Sequence, residues 1–184
     1  MQLSTVNVVA SFNLGVKLDL QSIHESNIGC TRYNHKRFTG LTLKQLRPRT
    51  SVLLFSTGKA IILGAKSEKH ALFGARKVAR LLRSHGYTSC KVKDFNVKNV
   101  VITCHLPYAI NLNNLALSYP EEAVYEPELF AALTFQLKHP SGKAILFEKG
   151  IINIVGIGNE VDARSAAYYV QTIAANYKKD SVIQ

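Results

Sequence analysis

NVVASFNL, beginning at Asn7, returns as NVVITCHL beginning at Asn99, 92 positions later (99 − 7 = 92). The same offset joins Phe38 to Phe130, Pro48 to Pro140, Phe55 to Phe147, Gly58 to Gly150, Gly64 to Gly156 and Val78 to Val170. One spacing held from the first apolar run to the last, with no insertion, makes the chain two direct copies of a unit of about 90 residues. Residues 1–92 form the first copy and 93–184 the second. Duplication constrains the fold strongly: what one copy buries its twin buries too, and what one copy leaves open is left open twice.

Each copy carries the same order of expected elements. A strand (5–13, then 97–105) leads to a short helical segment near LDLQSIHES or INLNNLALS. Three apolar strands follow, at 37–46, 50–56 and 59–65, and at 129–138, 143–148 and 151–157. A long helix closes each unit. In the first, Ala71, Ala75, Val78, Ala79 and Leu82 make one stripe at helical spacing, and Lys69, Arg76, Lys77, Arg80 and Arg83 lie off it. In the second, the expected stripe is Val161, Ala166, Val170, Ile173 and Tyr177. With strands well in excess of long helices, the expected class is α+β, a mainly antiparallel sheet with helices on one side.

That arrangement leaves a face unaccounted for. In SVLLFSTGKAIILG, residues Val52 to Phe55 and Ile61 to Leu63 are apolar without alternation, so both faces of this hairpin shun water. Two long helices cover one face of the sheet. The other must meet a second molecule, because monomeric proteins rarely leave so large an apolar patch bare.

Charge narrows the partner. A formal net charge of +11 and a pI near 9.7 favour an anionic partner, nucleic acid ahead of an acidic protein or a membrane surface. Most nucleic-acid surface is charged phosphate, a poor match for an apolar sheet. The DNA minor groove differs: its floor of sugars and base edges is comparatively apolar, and basic residues can engage the flanking phosphates. Phe38, Phe55, Phe130 and Phe147 form two pairs in equivalent places of the two copies, as a two-ended wedge requires.

The sequence resembles the TATA-box-binding protein family over nearly its entire length. The resemblance is carried by NVVASFNLGVKLDL, YNHKRFTGL, RPRTSVLLFSTGKAIILGAKSE, ARKVARLL, KDFNVKNVV and YEPELF taken together. It implies a pseudo-twofold saddle with helices on the convex face, a concave face that binds and bends promoter DNA from the minor groove, and a role in nucleating pre-initiation complexes. By position, it implies that Phe38 with Phe55 and Phe130 with Phe147 intercalate at two kinks. Asn7 and Asn99 would meet base acceptors near the centre, and Val9, Val101, Leu53, Ile61 and Ile145 the groove floor. Arg37, Lys44, Lys59 and Lys66 would meet phosphates. Glu126, Glu128 and Leu129 match a surface for a IIB-like factor, and Arg76, Lys77 and Arg80 one for a IIA-like factor or regulators. Nuclear localisation, no cofactor and no metal go with this reading, as does self-association through the concave face when DNA is absent.

The energetics of such a mode, of which this family is itself a standard example, are feasible: unstacking costs about a few kcal/mol per step. Bending costs on the order of 1–6 kcal/mol or somewhat more. Against this, burying each Phe returns roughly 1.5–3 kcal/mol, and phosphate neutralisation adds counterion release.

The chain also departs from the family pattern. Leu63 and Val155 stand where the family has threonines that bond a base acceptor, and Lys143 and Asn153 replace expected apolar groove contacts. Gln136 stands at an arginine position, and FEKGII replaces the second F-x-S-G-K turn, leaving Ile151 at the usual lysine. These changes favour altered sequence preference in a divergent or related factor. They also support an alternative reading, a scaffold that recruits general transcription factors with weak or altered DNA specificity.

Other function classes find little in the sequence. Cys30, Cys90 and Cys104 are odd in number and far apart, without CxxC or Cys/His clusters, so neither a disulfide framework nor a zinc site is expected. The six histidines show no ligand spacing, no carboxylate cluster or Ser/His/Asp motif appears, and GIGNE lacks a phosphate-loop pattern. An enzyme is not expected. The N-terminal residues lack a basic segment followed by a long apolar core, so no signal peptide is expected, and no stretch reaches the length of a membrane span.

Overall fold

The computed structural model of the chain describes residues 2–26 and 30–179. In chain order the elements are β1 (Gln2–Asn13), α1 (Leu20–Glu25), β2 (Cys30–Arg32), β3 (Leu41–Leu46), β4 (Arg49–Leu54), β5 (Lys59–Ala65) and α2 (Glu68–Arg83). There follow β6 (Lys93–His105), α3 (Leu112–Ser118), β7 (Ala123–Val124), β8 (Ala132–Leu137), β9 (Gly142–Phe147), β10 (Ile151–Ile157) and α4 (Glu160–Ala175). Two compact units result, one of Asn7–Lys98 and one of Asn99–Gln184 joined by Met1–Val6. Their boundaries fall within β1 and β6.

In the Asn7–Lys98 unit the strands lie in the order β2-β3-β4-β5-β1; in the other the order is β6-β10-β9-β8-β7. The pairings within each unit are antiparallel. β2 and β7 are short edge strands that the sequence reading lacks. Cys30-Thr31-Arg32 has no apolar alternation, and β7 is two residues long, so only pairing with β3 and β8 reveals them.

Alternation along each strand sends one set of side chains into the core. Val8, Ala10, Leu41, Leu43, Val52, Leu54, Ala60 and Ile62 are buried in the first unit, against Ala71, Ala75, Val78, Ala79 and Leu82 of α2. Ser67 caps α2 by accepting a hydrogen bond from the His70 N–H at 3.1 Å, Glu68 lies in the first turn, and Arg80 and Arg83 lie in the last, all favourable to the helix dipole. The second unit repeats the plan. Asn159 caps α4 by accepting from the Asp162 N–H at 2.8 Å, and α4 packs on β10.

Two expectations need correction. The buried stripe of α4 is Ala163, Ala166, Ala167, Val170, Ile173 and Ala174; Val161 is 74% exposed and Tyr177 lies beyond the helix end. Val161 stands nine residues from Val170, about two and a half turns, which places it on the opposite side of the cylinder. The strands expected to begin at 37 and 129 begin at Leu41 and Ala132. Phe38 and Phe130 occupy turns instead. The Asn34 carbonyl accepts from the Arg37 and Phe38 N–H groups, and the Glu126 carbonyl accepts from those of Leu129 and Phe130, so these donors are spent locally.

Candidate nucleic-acid interface

Opposite the helices, each unit presents a sheet face whose side chains are half-buried or exposed and covered by no element of its own unit. In the Asn7–Lys98 unit, one row across the strands reads Thr42, Leu53, Ile61, Ser11, and a second reads Lys44, Ser51, Leu63. In the other unit the equivalent rows read Thr134, Ile145, Asn153, Thr103 and Gln136, Lys143, Val155. The open faces therefore hold Leu53, Ile61, Leu63, Lys143, Ile145, Asn153 and Val155 in register, with Val9 and Val101 half-buried on β1 and β6.

The four phenylalanines meet in the expected pairs. Phe38 and Phe55 pack edge to face with ring centroids 5.9 Å apart, and Phe130 and Phe147 do so at 6.4 Å, within the range favoured by aromatic quadrupoles. Phe38 is 44% and Phe130 49% exposed, so neither ring belongs to the core. A hairpin turn sets each partner ring: Phe55 accepts from the Gly58 N–H at 2.9 Å and Phe147 from the Gly150 N–H at 3.0 Å. Both glycines have positive φ, +86° and +82°. Gly40 leaves room for the first pair, since a Cβ there would stand 2.6 Å from the Phe38 ring. Beside Phe55 lies a hollow of about 660 Å³ lined in part by Asn13, Thr39, Lys59 and Ile61.

Asn7 and Asn99 are fixed by one device. Asn7 Oδ1 accepts from the Gly64 N–H at 2.9 Å, and Asn99 Oδ1 from the Gly156 N–H at 2.8 Å. Gly64 (φ +86°) and Gly156 (φ +83°) sit where the β1–β5 and β6–β10 registers shift, a bulge that frees their N–H groups from the ladder. With the carbonyl end of each amide engaged, the Nδ2 donors are left for the open face. Two further amides are held on the second unit's face: Thr103 Oγ1 donates to Asn153 Oδ1 at 2.7 Å, and Gln136 Nε2 donates to the Gly142 carbonyl at 3.0 Å. The repeat offset pairs Gly64 with Gly156, but their role and that of Thr103 are not evident in the sequence alone. Strand periodicity from Val101 to Thr103 was the available signal for its face.

The basic candidates are separate from one another. Arg37, Lys44, Lys59 and Lys66 are exposed around the first unit's open face and its turns. Arg76, Lys77 and Arg80 are exposed on α2, away from that face; Lys77 Nζ donates to the Arg47 carbonyl at 2.7 Å. Glu126, Glu128 and Leu129 are exposed in the loop before Phe130, Leu129 at 82%.

Among the described residues, no group of three or more His, Cys, Asp or Glu side chains is placed to hold a metal ion, and no helix is long and apolar enough to cross a membrane. Cys90 and Cys104 are buried free thiols; burial pushes the Cys90 thiol up, opposed in part by Arg83.

Fold and site together define a two-repeat α+β protein in which each repeat carries an uncovered sheet face with an aromatic pair at its end. A family model described as "Transcription factor TFIID (or TATA-binding protein, TBP)" matches residues 2–85 and 94–177. A TATA-box-binding protein of Caenorhabditis elegans is 35% identical over 175 residues, covering 94% of this chain and 50% of that protein. TATA-box-binding protein 1 of Triticum aestivum is 34% identical over 173 residues, covering 94% and 73%. The solved structure of Methanococcus jannaschii TBP superposes with a TM-score of 0.82 at 28% identity, covering 96% of this chain and 99% of that one. The chain belongs to the TATA-binding protein family. It spans about half the length of the nematode relative.

Proposed function

We propose that this protein is a transcription-initiation factor that binds promoter DNA in the minor groove through its open sheet faces. It bends the duplex by inserting Phe38 with Phe55 at one kink and Phe130 with Phe147 at another. The observation that carries this reading is the occurrence, at equal places in both repeats, of a half-exposed aromatic pair at the end of an uncovered apolar sheet face. Apolar side chains such as Leu53, Ile61 and Ile145 suit sugars and base edges, and outward amides of Asn7 and Asn99 suit the N3 and O2 acceptors common to all base pairs. Arg37, Lys44, Lys59 and Lys66 supply phosphate contacts, whose effect falls as salt rises.

DNA so bent would nucleate an initiation complex. The exposed Glu126, Glu128 and Leu129 fit a IIB-like factor and the exposed cations Arg76, Lys77 and Arg80 an acidic surface of a IIA-like factor. The site of action is the nucleus, and without DNA the same open faces favour self-association. Lys143 and Asn153 on the second unit's face favour a second reading, a scaffold with weak or altered DNA specificity.

Gel-shift and fluorescence-bending assays on TATA and randomised duplexes test the choice, with Phe130→Ala and Phe147→Ala as comparators. Binding with bending that the substitutions abolish supports the factor reading. Absence of binding at moderate salt overturns it in favour of the scaffold.

A further inference from the structure

The two open faces are not chemically equivalent, and one difference falls in a row that is otherwise conserved in character. Thr42, Leu53, Ile61 and Ser11 in the first unit correspond, each at the repeat offset, to Thr134, Ile145, Asn153 and Thr103 in the second. Three positions conserve character; the fourth exchanges Ile61 for Asn153. Asn153 is not a loose polar group, since the Thr103 hydroxyl donates to its Oδ1 at 2.7 Å. That bond leaves Asn153 Nδ2 as a donor. Asn153 Oδ1, with one lone pair taken by Thr103, keeps its second as an acceptor where the first unit has only the Ile61 side chain.

In the minor groove every base pair shows acceptors, and a G·C pair adds one donor, the guanine 2-amino group. Buried beneath an apolar side chain that donor loses water and gains nothing, which costs affinity. Beneath Ile61 it has that fate. Beside the Thr103–Asn153 pair it finds an acceptor, while Nδ2 serves the neighbouring N3 or O2.

We infer that Asn153, positioned by Thr103, makes the second unit tolerant of a G·C pair, whereas Ile61 makes the first unit require A·T, so that the protein recognises an element restricted in one half only. This rests on the minor-groove reading above and deepens it.

A self-complementary TATATATA duplex provides the test, because the protein can bind it in either of two equivalent orientations. Dissociation constants are measured for this duplex, for one carrying a single G·C pair in one half, and for one carrying G·C pairs at both mirror-related positions. The single substitution costs only about twofold to threefold, since binding in the permitted orientation places G·C under Asn153. The second substitution costs roughly tenfold to a hundredfold, the usual penalty of one disallowed pair. Asn153→Ile makes the first substitution as costly as the second. Ile61→Asn removes the cost of the second, and it decides the matter should Asn153→Ile fail to fold. Equal costs for the two substitutions in the unaltered protein overturn the inference and leave DNA binding standing. No binding to unsubstituted TATATATA overturns the inference and the minor-groove reading together.

Discussion

The side-chain carbonyl of Asn7 accepts a hydrogen bond from the backbone N–H of Gly64 at 2.9 Å, and Asn99 repeats the bond with Gly156 at 2.8 Å. A bulge in each sheet thus fixes which end of the amide faces outward. Asn7→Asp keeps an oxygen for Gly64 and turns the outward donor into an acceptor. Its melting temperature should stay within a few degrees of the parent, while DNA affinity falls at least about tenfold, as expected when a charge-bearing acceptor faces groove acceptors. Paired thermal melts and gel shifts check this; equal loss of both would make the residue structural only.

Gly58 and Gly86 both have positive φ, +86° and +96°, but their surroundings differ. A Cβ on Gly58 would stand 2.1 Å from the Val16 carbonyl oxygen, whereas at Gly86 it would meet nothing within 4 Å. Gly86→Ala should therefore cost only the backbone strain of about 1–2 kcal/mol. Gly58→Ala should cost more than about 2 kcal/mol, because backbone must move, and it should displace Phe55 at the start of the same turn. Urea unfolding of both variants measures the difference.

Gln45 is buried; its Nε2 donates to the Gly74 carbonyl at 3.0 Å, and its Oε1 has no hydrogen-bond partner among the described residues. The equivalent residue of the second repeat is Leu137, also buried. Gln45→Leu exchanges one hydrogen bond and an unsatisfied carbonyl for apolar packing. It should stabilise the protein by about 1 kcal/mol, read as a higher urea midpoint with the same slope.

Glu160 links β1 to α4: it accepts from Arg164 Nη2 at 2.8 Å and from Thr5 Oγ1 at 2.8 Å. The Arg164 hydrogen bond foremost, and that of Thr5 after it, hold the carboxyl below its ordinary 4.5 against an opposing effect of burial. A depressed native value means the unfolded chain takes up the proton first. This stabilisation is present in full above the ordinary carboxylate range and is lost as pH falls through the native value. Chemical denaturation of Glu160→Gln should show a shallower loss of stability below about pH 4.5 than the parent.

Duplication, the apolar second face, the helix stripe of α2 and the four aromatic positions were legible in the amino-acid sequence. Each is written in local periodicity or in the repeat offset, which pairs Phe38 with Phe130 without any knowledge of folding. Family membership was legible for the same reason, being carried by motifs spread along the chain. The stripe of α4 was harder to place, because an alanine-rich helix gives apolarity little contrast from one side to the other. β2 and β7 were invisible, since an edge strand of two or three residues exists only through its partner. Tertiary structure alone decided what the amides do. Asn7 meets Gly64, and Thr103 meets Asn153, across strands that are 57 and 50 positions apart in the chain. Hydrogen bonds of that reach depend on register and on where a bulge releases an N–H group, and neither property belongs to any single segment.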